Sequence, residues 1–298
     1  MSFFARFQHN QPLSALTTLG IGGKAKYFIS INQIEEMRQL IHFCHTEQLP
    51  YFILGKGSNC LFDDQGFDGL VISNRIDFIH YPAKDEVYVG AGYSFSLLGT
   101  QTARLGLSGL EFASGIPASV GGAVYMNAGA NGRETCQSLH VVDFITEEGE
   151  YIQIPSTALD FSYRYSAFQK RRGAIVAASF KLTPSIAARE KQLEIIHYRK
   201  KTQPYKDKSA GCVFRNPAPT VSAGALIDQS GLKGKAYGGA QVSLMHANFL
   251  INAGGATAKD LLNLIELIKK EVKAHAGIEL ENEVRCIPYS LPLKKEDS

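Results

Sequence analysis

The 298-residue sequence is short of several features, and each scarcity excludes something. Its five cysteines, at positions 44, 60, 136, 212 and 286, form an odd set at wide spacings. With no Cys-x-x-Cys pair among them, a disulfide framework and a zinc ribbon are excluded. Thiols kept reduced fit a cytosolic protein. Lys and Arg number 31 against 28 Asp and Glu, a net charge of +3. That excess is too mild for a nucleic-acid binder, which gathers basic residues on one face. The basic runs Lys170-Arg171-Arg172 and Arg199-Lys200-Lys201 are short. No apolar run reaches the roughly 18 residues that a membrane helix needs. Arg6 and Gln8-His9-Asn10 interrupt the start before the apolar region of a signal peptide forms. A cytoplasmic location is expected, with no membrane and no nucleic-acid partner. Internal repeats and low-complexity segments are also missing.

What is present is an ordinary globular composition, 45% hydrophobic and 20% charged, in a chain long enough for about two domains. The first 185 or so residues alternate short apolar runs with glycine. Tyr51–Leu54, Val87–Val89 and Ala174–Phe180 read as strands. Asn32–Leu49 carries Ile34, Met37, Leu40, Ile41 and Cys44 at helical spacing, and Ser94–Leu105 is a second helical stretch. Pro184–Pro204 is a charged boundary that holds one helix, Ala187–Lys201. Beyond it, Thr257 is placed to cap a helix running to Ala276, with Leu261, Leu264, Ile265, Ile268 and Val272 on one face and Gly277 as its stop. Ile278–Ile287 reads as a closing strand. The mixture predicts an α+β fold.

Two glycine-rich loops stand out. Leu54-Gly-Lys-Gly-Ser-Asn59 follows a strand, and glycine lets the backbone turn its N–H groups onto a phosphate. It fits neither a Walker loop nor a dinucleotide fingerprint. Ser114-Gly-Ile-Pro-Ala-Ser-Val-Gly-Gly-Ala123 places Pro117 for the first turn of a helix. Gly121-Gly122 inside that helix is costly unless something packs on the bare backbone. A pyrophosphate at the helix start is one reading, and close helix packing is the other. His42 and His45 share one helix turn but lack a partner cluster, so no metal site is expected.

The ordered motifs reach further. They are Thr18-Leu-Gly-Ile-Gly-Gly23, Leu54–Asn59, Gly109-Leu-Glu-Phe-Ala-Ser-Gly-Ile-Pro117, Val120-Gly-Gly-Ala123, Met126-Asn-Ala-Gly-Ala130 and Tyr163-Arg-Tyr-Ser-Ala-Phe168. Further on come Ser209-Ala-Gly-Cys-Val-Phe-Arg-Asn-Pro217, Ala223–Asp228, Gly231–Gly234, Val242–Phe249 and Leu280-Glu-Asn-Glu-Val-Arg285. In this set the sequence resembles the UDP-N-acetylenolpyruvoylglucosamine reductase (MurB) family from about Leu16 to Ile287. The resemblance implies an FAD-binding domain of the vanillyl-alcohol-oxidase (PCMH) type in two subdomains, 1–75 and 76–186, and a C-terminal α+β substrate-binding domain, 187–298. It implies FAD as cofactor, NADPH as cosubstrate, a UDP-sugar enol ether as substrate and a monomer. Gly55, Lys56, Gly57, Ser58 and Asn59, with Gly115, Ile116, Pro117, Ser119, Gly121, Gly122 and Ala123, are the implied cofactor-binding residues.

Hydride addition to an enol ether conjugated to a carboxylate pushes negative charge into that carboxylate. The step needs a fixed cation or donor there and an acid for the adjacent carbon. By motif match Arg164 and Glu283 polarise the substrate. Without the resemblance, Arg164 reads as a surface salt bridge and Glu283 as a strand-edge charge with Glu281 on the same face. Cys212 stands where the family commonly has serine and is the implied proton donor. A free thiol ionises near pH ~8.5, and an adjacent Arg164 is expected to lower that value and leave some thiolate. Tyr163, Arg199, Arg215 and Asn216 are candidates for the UDP-sugar. Gly20, Lys56, Ala118 and Asn131 depart from the family pattern. Phe180–Cys212 is too short for the tyrosine-bearing insertion of one subclass, which implies a more open site. A flavin oxidase of another substrate and a degenerate flavin-binding protein are the competing readings.

Overall fold

A computed structural model describes residues 3–291. Three sheets organise the chain. The first has four strands in the order Gln8–Pro12, Lys24–Ile31, Gly66–Asn74, Tyr51–Leu54. Its first pair is antiparallel and the other pairs are parallel. The second is antiparallel, in the order Tyr151–Pro155, Leu139–Thr146, Gly173–Lys181, Glu86–Gly90, Ile79–Ala83. The third, also antiparallel, runs Ser209–Cys212, Phe249–Asn252, Ala240–Val242, Ala236–Tyr237. With six α-helices among the described residues, the fold is α+β, as the pattern predicts.

Helix α1 (Ile34–Thr46) buries Met37, Leu40, Ile41 and Cys44. These side chains share one core with Ile29 and Ile72 of the first sheet and Ile145, Ala174 and Val176 of the second. One apolar stripe thereby joins the first two sheets. Helix α2 (Phe95–Arg104) starts from the Ser94 cap, whose side chain accepts from the Leu97 N–H. It packs with α3 (Val120–Met126) into the core of the second sheet. Helix α4 (Ala188–Thr202) lies against α2 and the turn Glu111–Ala113. Helix α5 (Ala223–Gln229) and α6 (Ala258–Ala276) close the third sheet. The ends of α6 follow the sequence reading. Thr257 and Asp260 form a reciprocal capping box, and Gly277 takes the left-handed stop at φ 70°. No helix among the described residues is long and apolar enough to cross a membrane.

Two expectations fail locally. Only Arg285–Ile287 of the expected strand Ile278–Ile287 pairs as a strand, in parallel with Cys60–Phe62. The residues before it are tied instead to the segment after Cys212. Asn282 bridges Phe214, Arg215 N–H donates to the Glu281 carbonyl, and Glu283 N–H donates to the Val213 carbonyl at 2.7 Å. The other failure is Pro117, which precedes α3 and lies outside its first turn, because Ser119 is the cap. The closing strand returns the C-terminal segment to Cys60–Phe62, beside the glycine loop 55–59.

Candidate functional site

The glycine loop, α3 and the third sheet enclose one cavity of about 870 Å³, within the range of cofactor sites. Gly55, Lys56, Gly57, Ser58 and Asn59 form one wall, and Ile116, Pro117, Ser119, Gly121 and Gly122 another. Arg164, Arg199, Cys212 and Glu283 line the same space. Its apolar surface comes from Phe52, Ile53, Tyr125, Phe144, Phe168 and Ile175.

Two residues expected to touch a cofactor sit elsewhere. Ala123 is wholly buried in the core of the second sheet, and Gly115 lies behind the wall. Tyr163, Arg215 and Asn216 also lie outside the lining.

Gly57 takes φ 64°, and a Cβ there would meet the Leu16 carbonyl oxygen at 2.2 Å. Any side chain would therefore force the loop from its place. The Gly57 carbonyl accepts from the Thr18 N–H at 3.1 Å. The N–H groups of Lys56, Gly57 and Ser58 find no backbone acceptor among the described residues, while the Asn59 N–H faces the Cys60 sulfur. Three such donors on one turn suit an anion such as a pyrophosphate.

Helix α3 is different. Its Val120 and Gly121 N–H groups donate to the Tyr93 and Ala91 carbonyls, and Gly122 donates to the Ser119 hydroxyl. The helix start is therefore not the open anion site that the glycine pair suggested. Gly121 is glycine for packing, since a Cβ would lie 2.9 Å from that of Ala91, whereas Gly122 faces the cavity.

Arg164 occupies the tip of a two-residue hairpin between Phe161–Ser162 and Tyr165–Ser166, at φ 57°. That conformation costs a non-glycine residue about 1–2 kcal/mol. It persists because the surroundings fix it. Asn127, itself left-handed at φ 43°, donates to the Ser162 carbonyl and Glu134, and accepts from the Cys136 N–H. Gln169 donates to the Arg164 carbonyl at 3.0 Å. The Arg164 guanidinium donates to Glu283 Oε1 at 2.6 Å and to the Gly129 carbonyl at 3.0 Å, and it lies 4.8 Å from the Tyr163 ring centroid. Their side chains are only 17% and 14% exposed, so this is a buried pair and not a surface salt bridge. Glu281 does not share the face: its side chain is 77% exposed.

Cys212 ends the strand Ser209–Cys212 after a register shift, with Gly211 at φ 77° supplying the bulge that re-aims it. Asn248 fixes the chain two residues on through a two-way bond with the Phe214 backbone, at 2.9 and 2.8 Å. Burial pushes the Cys212 thiol up to about 12. Glu283 adds to the rise, and Arg164 and Arg199 oppose it without reversing it. The expected partial thiolate is therefore overturned, because desolvation outweighs the arginine. Burial also lifts the Glu283 carboxyl above its usual range, against the pull of Arg164 and Arg215.

Arg199, a candidate for the UDP-sugar, lines the cavity and donates to the Tyr205 hydroxyl and the Gly115 carbonyl. Arg215 approaches the Arg164 carbonyl at 3.5 Å, and the Asn216 N–H donates to the Tyr163 hydroxyl at 3.4 Å. The sequence reading gave no role to Arg285, whose guanidinium sits over Tyr125 at 4.6 Å and Phe52 at 5.5 Å on the cavity wall. Its place two residues after Glu283 was the available signal. Asn127 and Asn248 sat in quoted motifs, but nothing in the sequence distinguished them as anchors.

Comparison with known proteins bears on the family and the fold. A family model described as UDP-N-acetylenolpyruvoylglucosamine reductase, C-terminal domain, matches residues 203–287, and one described as an FAD binding domain matches 25–154. The chain is 59% identical over 286 residues to the UDP-N-acetylenolpyruvoylglucosamine reductase of Protochlamydia amoebophila, covering 96% of this chain and 95% of that one. It is 48% identical to the enzyme of that name from Chlamydia trachomatis serovar A, covering 97% and 99%. The crystal structure of the Thermus caldophilus UDP-N-acetylenolpyruvylglucosamine reductase superposes with a TM-score of 0.79 at 39% identity, covering 93% of this chain and 97% of that one.

Proposed function

The chain belongs to the UDP-N-acetylenolpyruvoylglucosamine reductase family, flavin oxidoreductases of peptidoglycan precursor synthesis; from that premise we propose that it uses NADPH to reduce the enolpyruvyl ether to UDP-N-acetylmuramate, with Cys212 as the proton donor. The observation that carries this reading is convergence. Arg164, Cys212 and Glu283 come from three distant segments to one cavity, which is also lined by a loop with three N–H groups free of backbone acceptors.

The residues present fit FAD. Lys56, Gly57 and Ser58 offer N–H donors to its pyrophosphate. Ile116, Pro117, Ser119, Gly121 and Gly122 supply a wall of small side chains, with aromatic surface beyond. Bound and reduced, FAD supplies the hydride for the terminal carbon of the enolpyruvyl double bond.

The protein handles the charge and the proton. Arg164, permanently cationic and fixed by two bonds, holds the substrate carboxylate as negative charge develops into it. A second anion beside Glu283 raises that already lifted carboxyl further. Glu283 holds the Arg164 guanidinium in place through its 2.6 Å bond. Cys212 gives its Sγ–H proton to the adjacent carbon, and the thiolate takes a proton back from water. Tyr163, Arg215 and Asn216 lie on the substrate side, where Asn216 Oδ1 also accepts from the Ala223 N–H at 3.1 Å. The short Phe180–Cys212 stretch leaves the site without a tyrosine-bearing cover, in a soluble enzyme that acts as a cytoplasmic monomer.

The test is anaerobic. The flavin of the purified enzyme is reduced with NADPH, and the UDP-sugar enolpyruvyl ether is then added. Rapid reoxidation with a muramate product supports the proposal. Reduction without reoxidation overturns the substrate assignment, and failure of NADPH to reduce the flavin overturns the cosubstrate.

A further inference from the structure

One triangle of bonds ties the cavity wall to α4: Arg199 lines the cavity, while Tyr205 and Gly115 stand behind it. Arg199, on the last turn of α4, donates from Nε to the Tyr205 hydroxyl at 2.8 Å and from Nη2 to the Gly115 carbonyl at 3.1 Å. The Tyr205 hydroxyl donates to the same carbonyl at 3.0 Å. On the other side of that residue, the Gly115 N–H donates to Ser96 Oγ of α2 at 2.7 Å. Nothing larger than glycine fits between. A Cβ at position 115 would meet the Tyr205 hydroxyl oxygen at 2.6 Å and Arg199 Nε at 3.0 Å. The next residues, Ile116 and Pro117, line the cavity, as does Ser119.

The geometry points to Arg199 and Tyr205 as positioning residues for the cofactor wall: they clamp the Gly115 carbonyl and hold residues 116–119 in the shape that receives the flavin nucleotide. The inference rests on the flavin reading above and adds to it residues that act through the wall. The clamp also links two parts of the mechanism. Tyr205 leads by a short segment into the strand that ends at Cys212. The flavin wall and the proton donor are therefore tied through one carbonyl. An arginine engaged in this way supports the cofactor wall, whereas the sequence reading made it a candidate for the UDP-sugar.

The experiment titrates apoprotein with FAD, following flavin fluorescence, for wild type, Arg199→Ala and Tyr205→Phe. The KM for the UDP-sugar is then measured at saturating FAD. Removing a charged donor is expected to raise the Kd for FAD about tenfold in Arg199→Ala. Tyr205→Phe, which deletes one oxygen, is expected to raise it about threefold to fivefold. The larger effect falls on the Kd for FAD and the smaller on KM. Unchanged Kd values for FAD overturn the clamp, as does a tenfold rise in KM with that Kd intact, which returns Arg199 to the UDP-sugar. Wild-type apoprotein that binds no FAD defeats the flavin reading itself, a separate result. Should Arg199→Ala fail to fold, Tyr205→Phe alone decides.

Discussion

Replacing Cys212 by alanine removes a proton donor that burial keeps protonated. The structure holds its thiol near 12, where an ordinary cysteine sits near 9. At pH 9 about one molecule in a thousand carries the thiolate, against about half for the unshifted group. The sign follows directly. The donor is competent below its pKa, so the rate limb it controls is lost only as pH rises towards 12. Flavin reoxidation by substrate is therefore expected to stay flat on this account from pH 7 to 10. An unshifted thiol would give about a tenfold fall by pH 10. General acid catalysis is worth about 10²–10⁴ in rate. Cys212→Ala should lose that factor in the oxidative half-reaction, while Cys212→Ser retains much of it. Stopped-flow absorbance of the flavin separates the two half-reactions, and reduction by NADPH serves as the internal reference. Equal reoxidation in wild type and Cys212→Ala refutes the donor role. A tenfold wild-type fall between pH 8 and 10 that vanishes in Cys212→Ser refutes the pKa argument.

Three other predictions test neighbouring parts. Glu283→Gln removes an anion that helps hold the Cys212 thiol up, so iodoacetamide should label Cys212 faster at pH 9; an unchanged labelling rate counts against the coupling. Gly57→Ala combines a left-handed φ with a 2.2 Å clash on the Leu16 carbonyl, so the enzyme should purify with much less FAD and with an unfolding free energy in urea lower by about 1–3 kcal/mol. Full FAD occupancy would show that the loop tolerates displacement. Thr257→Ala deletes the acceptor for the Asp260 N–H and half of the capping box, and should cost about 1 kcal/mol in urea unfolding. A change below about 0.3 kcal/mol would mean that packing alone holds the start of α6.

Elements governed by local chemistry were legible in the sequence. Helix α6 is the best case, because its cap, apolar face and glycine stop all lie within one stretch, and each acts through neighbours in the chain. The strand reading of Ile278–Ile287 failed for the opposite reason. Its outcome was decided by the Val213 and Phe214 backbone, far away in sequence. The anion reading of α3 failed in the same way, since nothing local announces that the Ala91 and Tyr93 carbonyls reach its first turn. The composition of the site was accessible through ordered motifs, but its electrostatics were not. Arg164 beside a cysteine suggests a lowered thiol pKa, whereas burial, which only the fold determines, sends it the other way.

The same dependence on distant contacts explains how the site is held together. Glu283 is fixed by its N–H to the Val213 carbonyl and by Asn59 Nδ2 to its own carbonyl at 3.1 Å. The Arg285 N–H returns to the Asn59 carbonyl at 3.1 Å. Thr18 Oγ1 donates to the Ser209 carbonyl at 2.6 Å, which anchors the strand of Cys212 beside the glycine loop. Proton donor and carboxyl are thereby locked to the glycine loop and to each other. Arg164 arrives on its own hairpin, and its 2.6 Å bond to Glu283 joins that hairpin to the same framework. Three segments distant in sequence therefore meet at one buried ion pair, and removing either partner leaves the other charge without its counterpart.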